Sequence, residues 1–399
     1  MEFSRWKNLF IVSMMALILA FSVFFALQNK SGLVGQAAAV SGGLATVDSA
    51  NAIPLPAQKL SNPPEIIKSI YITGYSAGSK KYLNYLENLF KNTEINAVVV
   101  DIKGSDGYVT YLSEAPDVKK YNLTDFAIGD IDSLVRFFHN QNIYVIGRIA
   151  VFEDPVYAKA KPDLAVYNKT KTTDTSVRVL WKDNHGLAWL DPASKDVWDY
   201  NISLAKDALY HGFDEINFDY IRFPTDGKEG EMGFPVYNGK TAKSEVIKNF
   251  FHYLRNNLAG EKISADLFGL TTVNTDDMGI GQIIENAFEN FDYISPMVYP
   301  SHYANGFIGF ANPAQHPYEV IKYSMNSAIA KSKNLEKQVQ ILGKLRPWIQ
   351  DFNIGAEYTP EMVKQEIRAI QDSLGSDYIG FMIWNPSNKY TEAAILRPN

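Results

Sequence analysis

Short apolar runs rich in Val, Ile, Tyr and Phe alternate with longer amphipathic segments from Glu65 to the end of the sequence. Runs of this kind are typical of buried strands, whereas the segments between them have the period of a helix. The predicted strands cover residues 69–73, 96–103, 143–150, 213–221, 262–269, 292–299, 338–345 and 378–384. The predicted helices cover residues 79–91, 130–140, 194–211, 242–258, 276–290, 317–333 and 360–374.

This alternation predicts an α/β protein built on one parallel sheet. Eight strands within residues 65–399 indicate a single (β/α)8 TIM barrel enlarged by long loops. The longest loops, 104–128, 151–193 and 222–240, each follow a strand and precede a helix. They therefore belong to the C-terminal face of the barrel, where folds of this class carry their sites.

The N-terminal end of the sequence has a different pattern. Residues 9–27 form an uncharged, apolar run that is about long enough to cross a bilayer as a helix. Arg5 and Lys7 precede it, which predicts that the barrel lies on the extracytoplasmic side of the cell membrane. Residues 1–29 are thus predicted to be a membrane anchor, or a signal segment whose cleavage would leave a secreted protein. Residues 30–64, rich in Gly, Ala, Ser and Pro, are predicted to be a flexible linker.

The composition excludes several classes of function. The protein has no cysteine, so thiolate metal sites, disulfides and cysteine nucleophiles are excluded. A net charge of −6 argues against a nucleic-acid partner, because such a protein needs a basic surface. The six histidines lack the spacing of a metal-binding motif, and no nucleotide-binding or serine-hydrolase motif occurs. We therefore expect no metal and no cofactor.

The fourth predicted strand, within FDEINFDYIRFP, has its polar residues in one phase. Glu215, Asn217 and Asp219 alternate with apolar side chains. Alternate side chains of a barrel strand point to the interior, and buried polar groups are costly, so this pattern indicates a site at the rim. Arg222 follows closely, and a salt bridge to Asp219 that only holds a loop is the alternative interpretation.

Charged and aromatic residues also occur near the ends of other predicted strands. The predicted substrate-binding residues are Asp101, Lys103, Arg148, Arg222, Tyr299, His302, Arg346, Trp348 and Trp384. Each of them alone is equally well explained as a salt bridge or a packed ring. Their occurrence at the same end of several strands favours a binding site.

Paired carboxylates surrounded by aromatic side chains suit the hydrolysis of a glycosidic bond. One carboxyl, kept protonated by an apolar setting or a neighbouring negative charge, protonates the leaving oxygen. The other attacks the anomeric carbon or activates water. Asp219 and Asp266, on adjacent strands, are the predicted catalytic pair, and Glu153, Asp154 and Asp351 are alternatives to Asp266 as proton donor.

The motifs FDEINFDYIRFPTDG, VVVDIKG, SADLFG, SPMVYPSHY and RPWIQDF resemble those of a known family. Over residues 70–386 the sequence resembles the bacterial "putative glycoside hydrolase domain" family, a domain of unknown function related to glycoside hydrolase-like (β/α)8 barrels. The resemblance implies a TIM barrel with a carbohydrate-active site and places Asp219 at the position of the strand-four carboxylate. The fourth strand does not end in the Asn-Glu pair common in retaining barrels of this kind.

Three functions agree with these observations. The first is a glycosidase that acts on a cell-envelope or extracellular polysaccharide. The second is a non-catalytic glycan-binding barrel, a degenerate enzyme on the same scaffold. The third is a scaffold in an envelope complex.

Overall fold

Parallel strands at eight positions form a closed barrel in the computed structural model, which describes residues 57–174 and 177–397. The strands are β1 (Ile67–Ile72), β2 (Ala97–Lys103), β3 (Tyr144–Ala150), β4 (Glu215–Asp219), β5 (Lys262–Phe268), β6 (Tyr293–Met297), β7 (Lys344–Leu345), β8 (Trp348–Gln350) and β9 (Gly380–Trp384). The sheet closes because β8 pairs with both β6 and β9, and β9 pairs with β1. The predicted (β/α)8 barrel is confirmed.

The seventh barrel position is divided between two short strands, and the prediction of a strand over 338–345 is wrong. Only Lys344–Leu345 of that segment is a strand, and the barrel continues with β8. Pro347 lies between them, and it has no N–H group to donate to a ladder. Arg346 and Trp348 therefore lie within the barrel wall and not beyond the end of its strand.

Seven α-helices of the described part of the chain connect successive barrel positions, and three short α-helices, Gly74–Ala77, Pro116–Tyr121 and Pro155–Ala160, lie in the loops. The connecting helices are α1 (Lys80–Asn92), α2 (Ile131–His139), α3 (Lys195–Tyr210), α4 (Lys243–Asn257), α5 (Ile284–Phe288), α6 (Pro317–Leu335) and α7 (Pro360–Leu374). Side-chain oxygens of Ser79, Asp130 and Thr359 accept backbone N–H groups in the first turns of α1, α2 and α7. These caps satisfy donors that have no partner inside a helix, and so define where each helix begins.

Helix α5 is much shorter than the predicted helix over 276–290. Met278, Gly279 and Gly281 have φ values of 53°, 73° and 87°. Successive residues with positive φ cannot continue a right-handed helix, so the segment before Ile284 forms turns. The apolar spacing of this segment predicted a helix because it carries no information about these backbone angles.

The two faces of the strands bury different clusters. In β2, Val98 and Val100 pack between the sheet and the helices, whereas Ala97 and Val99 face the barrel interior. The interior apolar cluster consists of Ile67, Tyr71, Ala97, Val99, Tyr144, Ile146, Tyr299, Trp348 and Met382. Polar residues of β3, β4 and β5 complete the interior, as the alternation in β4 predicts.

Two long loops, after β3 and after β4, are joined to each other. Tyr167–Asn168 of the first pairs in antiparallel fashion with Met232–Gly233 of the second. A Cβ on Gly233 would lie 2.4 Å from the ring of Tyr167, so this contact requires glycine. The buried carboxylate of Asp191 accepts the N–H groups of Val236 and Tyr237 at 2.7 and 2.9 Å. The loops thus form one layer that follows the C-terminal ends of β3 and β4.

The described end of the predicted linker is bound to the barrel. Ala57 is buried and donates its N–H to Asp132 Oδ1 at 2.9 Å, and Leu60 donates to Asp214 Oδ1 at 2.6 Å. Residues 57–60 therefore belong to the folded domain, because these hydrogen bonds attach them to α2 and to the connection before β4. The predicted membrane segment and residues 30–56 of the linker lie outside the described residues. Among the residues that are described, no helix is long and apolar enough to span a bilayer.

A buried ion pair lies where β4 begins. Arg346 donates to both oxygens of Glu215, at 3.1 Å from Nη1 and 2.5 Å from Nη2, and both side chains are fully buried. Ser264 also donates to Glu215 Oε1 at 2.5 Å. A buried charge is costly without its partner, so the pair contributes to stability only as a unit.

We predict that Arg346→Met lowers the free energy of unfolding by about 3–5 kcal/mol, because it leaves the Glu215 carboxylate buried and unpaired. The double variant Glu215→Leu/Arg346→Met removes both charges and should lose clearly less. Urea denaturation of the two variants and the wild type measures this difference. Equal losses in the single and double variants would contradict the unpaired-charge explanation.

Candidate active site

A buried arginine on β3 connects carboxylates from the neighbouring strands. Arg148 donates from Nη1 to Asp101 Oδ1 at 2.5 Å, and from Nη2 and Nε to Asp219 Oδ2 at 2.6 and 3.2 Å. Asp266 Oδ2 lies 4.0 Å from Nε. Burial lowers the pKa of Arg148, but the charges of Asp101 and Asp219 outweigh it and raise the pKa well above its usual value. One permanent cation is therefore surrounded by three predicted site carboxyls.

Strand register brings these residues to the C-terminal end of the barrel. Asp101 of β2 pairs with Arg148 of β3, and Arg148 pairs with Asn217 of β4. Asp219 is the next inward residue of β4, and Asp266 lies two residues beyond the β5 partner of Asn217. Because inward side chains of a strand are two residues apart, Asp219 and Asp266 lie at the same height along the barrel axis.

Asp219 is held by hydrogen bonds to both of its oxygens. Besides the bonds of Oδ2 to Arg148, Oδ1 accepts the N–H of Tyr220 at 2.6 Å. Tyr220 has a φ of 52°, a strained conformation for an aromatic residue that costs of order 1–3 kcal/mol. The side chain of Asp219 stays 10% exposed, so a ligand can approach it.

Asp266 has a more apolar and more enclosed environment. Oδ1 accepts hydrogen bonds from Asn217 Nδ2 and Trp348 Nε1, both at 2.8 Å, and the residue is only 1% exposed. Burial, followed by the negative charge of Asp219, raises the pKa of Asp266 well above its usual value, despite Arg148 and the two donors. Burial beside the charge of Asp219 thus favours the protonated form of Asp266.

The distance between the two carboxyls is limited by their shared neighbour. Asp219 Oδ2 and Asp266 Oδ2 lie 3.2 and 4.0 Å from the same Arg148 Nε, so their separation cannot exceed the sum of these distances. That limit includes the roughly 5–5.5 Å of retaining glycosidases and the lower end, about 6.5 Å, of the range of inverting ones. The pair is close enough to act on one bond.

Aromatic rings line the same end of the barrel. Tyr71 donates to Asp101 Oδ2 at 2.5 Å and stacks on Trp384 with ring centroids 3.9 Å apart. Trp348 meets Trp384 edge to face at 5.8 Å. The ring of Tyr299 lies near the same pair. Burial, followed by the charges of Asp266 and Asp219, raises the pKa of Tyr299 well above its usual value. Flat apolar surfaces therefore adjoin the carboxyls.

Two predicted binding residues belong to a neighbouring region. Lys103 forms a fully buried ion pair with Asp154 at 2.7 Å, because the β2–β3 register shifts between Asp101 and Lys103 and breaks their common phase. Arg222 pairs with Asp226 at 2.8 Å and lies over the ring of Trp189. The proposed alternative of an Asp219–Arg222 salt bridge is therefore wrong, because each side chain has another partner.

Two further predicted binding residues, Arg346 and His302, contact neighbouring side chains in a way that suits a structural role. Arg346 is bound to Glu215, four residues before Asp219 on β4 and hence about 13 Å along the strand. His302 lies edge to face with Tyr299 at 5.2 Å, and its Nδ1 bonds to Ser301 Oγ at 2.8 Å. Burial lowers the pKa of His302 to about 3, which keeps the ring neutral.

Tyr71 and Tyr220 were missed as site residues by the sequence reasoning. Tyr71 lies on the inward phase of β1, next to the last residue of the strand, and the alternation that singled out Asp219 applies equally to it. Tyr220 carries no local signal, because it acts through its backbone N–H, which every residue except proline has.

A family model described as "Putative glycosyl hydrolase domain" matches residues 69–390, most of the sequence and all of the strand ends that form this site. The protein belongs to this family. No curated protein matches it in sequence.

Three solved structures are similar to this glycosyl hydrolase domain. A hypothetical protein from Ruminiclostridium thermocellum is 44% identical, covers 49% of this chain and 96% of its own, and has a TM-score of 0.44. The glycoside hydrolase domain of PgaB (BpsB) from Bordetella bronchiseptica is 14% identical, covers 84% and 100%, and has a TM-score of 0.56. An α-galactosidase from Thermus thermophilus is 14% identical, covers 85% and 61%, and has a TM-score of 0.49. The PgaB likeness supports the barrel fold.

Two of the alternative proton donors in this glycosyl hydrolase domain already have hydrogen-bond partners. Asp154 binds Lys103 and caps a short helix through Tyr157 N–H, and Asp351 accepts both the N–H and the hydroxyl of Thr391. Glu153 differs, since it is fully buried and neither of its oxygens has a hydrogen-bond partner among the described residues.

The pKa of Glu153 is raised well above its usual value, first by burial and then by the charge of Asp183. The unfolded chain ionises this group above about pH 4–5, whereas the folded protein keeps it protonated to higher pH. The contribution of Glu153 to stability is therefore lost as pH rises from the ordinary pKa of glutamate through the raised pKa of the folded state.

We predict that Glu153→Gln, which cannot ionise, gains stability relative to the wild type as pH rises from 4 to 7. The free energy of unfolding from urea denaturation at both pH values measures this. Glu336→Gln, at an exposed glutamate on the end of α6, is the control and should show no such trend. A stability difference between Glu153→Gln and wild type that is independent of pH would contradict the prediction.

Proposed function

We propose that the protein is a glycoside hydrolase in which Asp219 attacks the anomeric carbon or activates water and Asp266 protonates the leaving oxygen. One observation carries the proposal: the two carboxyls share Arg148, yet only Asp219 is directly bound to it. Asp219 forms the ion pair with Arg148, and burial together with the charge of Asp219 raises the pKa of Asp266 and favours its protonated form. This division of roles is what glycosidic hydrolysis requires.

The surrounding groups support each role. Arg148 and the N–H of Tyr220 fix the orientation of Asp219 and leave part of its carboxylate exposed. Asn217 and Trp348 both donate to Oδ1 of Asp266, so its proton is carried by Oδ2, the oxygen that faces Arg148 Nε at 4.0 Å. The leaving oxygen of a bound sugar would lie near Oδ2.

The substrate class follows from the rings and from the predicted anchor. The partly exposed ring of Trp384, stacked on buried Tyr71, provides an apolar surface beside Asp101 and Arg148, which suits the C–H faces and the hydroxyls of a sugar. We infer a cell-envelope or extracellular polysaccharide as substrate, because the apolar run at residues 9–27, with Arg5 and Lys7 before it, predicts a barrel outside the membrane.

A non-catalytic glycan-binding barrel is the second candidate. It is favoured by the near-complete burial of Asp266 and by the hydrogen bonds to both oxygens of Asp219. Such a protein would bind glycans through the same rings without releasing reducing ends. The experiments below separate the two functions.

We predict that Asp219→Asn lowers kcat by about 10²–10⁴-fold, because it removes the charge that attacks or activates water. Folding should be retained, since Asp101 still pairs with Arg148. Reducing-end release from envelope polysaccharides, together with the thermal midpoint, measures both effects. The control is Asp377→Asn, at an exposed aspartate after α7. Undiminished turnover in Asp219→Asn would remove Asp219 from the mechanism.

We predict that Trp348→Phe moves the alkaline limb of the kcat/KM profile to higher pH. The change removes the indole N–H that favours ionised Asp266, so the pKa of Asp266 rises and its proton is kept longer. The matched control is Trp198→Phe on α3, which loses an indole N–H bound to Pro192 O. An unmoved or lowered alkaline limb in Trp348→Phe would show that another group supplies the proton.

A further inference from the structure

Two tyrosine rings are exposed at the C-terminal rim of the barrel, beside the candidate active site. Tyr75 lies in the short helix Gly74–Ala77 directly after β1, and Tyr108 lies in the turn after β2. They are 40% and 38% exposed, although tyrosine normally buries much of its ring. Both rings are therefore accessible to a ligand at this rim.

The loop after β2 holds the ring of Tyr75 and the backbone of Tyr108. The hydroxyl of Tyr75 donates to Asp125, whose own N–H bonds to Val109 O at 2.9 Å. The N–H of Tyr108 bonds to Asp106 Oδ1 at 3.2 Å. Side chains that are ordered before a ligand arrives lose little entropy when it binds, so such rings are efficient contact surfaces.

This surface is continuous with the proposed catalytic centre. Tyr71, four residues before Tyr75, binds Asp101. A Cβ at Gly104 would lie 3.8 Å from Asp101 Oδ2 and 3.2 Å from Asp106 Oδ1, so Gly104 lies beside both carboxylates. The turn that carries Tyr108 therefore begins three residues after Asp101, which binds Arg148.

The chemistry of this rim cluster, defined as Tyr75, Asp106, Tyr108 and Asp125, matches a sugar unit. Ring faces pack against the C–H faces of a pyranose, and carboxylate oxygens accept its hydroxyl protons. A protein partner would be expected to bury a larger and more apolar patch than two rings bordered by acids.

We propose that the rim cluster is an additional sugar-binding subsite, so that the substrate is a glycan chain extending from the catalytic centre across the ends of β1 and β2. The inference rests on the proposed function for the identity of the ligand. It adds that affinity depends on chain length and that two named rings provide this dependence.

The test compares the full chain in detergent with Tyr75→Ala, Tyr108→Ala and the double variant. The probes are cello-, manno- and chito-oligosaccharides of about two to six sugars, with calorimetry for binding and reducing-end release for turnover. Tyr210→Ala, at an exposed tyrosine on the end of α3, is the matched control. In the double variant, binding of the longer probes should weaken about three- to tenfold, and that of the shortest should not change.

Each result decides between the two proposals. Equal losses for short and long probes, or no loss in the double variant, would overturn the subsite while leaving the hydrolase proposal intact. Length-dependent binding that is lost in the double variant, with no turnover by any form, would support the subsite and overturn catalysis. Absence of binding by the wild type to all three series would overturn the subsite as proposed.

Discussion

The guanidinium of Arg148 lies in a barrel interior that disfavours a charge without partners. Removing such a cation from water costs several kcal/mol, and only well-aligned carboxylates offset that cost. Asp101 and Asp219 provide the alignment from β2 and β4, on either side of β3. The same contacts fix Asp101 and Asp219 relative to each other, so the position of these two carboxylates depends on this arginine.

Arg148 also makes two similar side chains chemically different. Asp219 receives two of its N–H groups, whereas Asp266 lies 4.0 Å away and receives neutral donors instead. Because one carboxyl takes the ion pair, its charge adds to the burial that keeps the other protonated. A single cation placed off-centre between two acids thus gives them different surroundings, and no cluster of metal-ligand type is found among the described residues.

A hydrogen-bonded column links the site to the opposite end of the barrel. Arg346 binds Glu215, Ser264 donates to Glu215, and Asn217 donates to both Ser264 and Asp266. These bonds run without a break from Arg346 to Asp266, although Asn217 Oδ1 and Arg346 Nε have no hydrogen-bond partner among the described residues. Arg346 therefore contributes to the site by positioning, although its distance along β4 does not suit contact with a ligand at the rim.

Alternation of polar and apolar residues is a property of each strand by itself, and it determined the barrel, most strand positions and the placement of Asp219, Asp266 and Arg148 at one end. Helix α5 and the seventh strand position escaped prediction because positive φ angles and Pro347 interrupt the pattern. The tertiary structure alone decided which charges pair. Lys103 forms its ion pair with Asp154 because the register between β2 and β3 shifts before it. Arg346 meets a residue 131 positions away in sequence, a contact that depends on barrel closure and not on any local period.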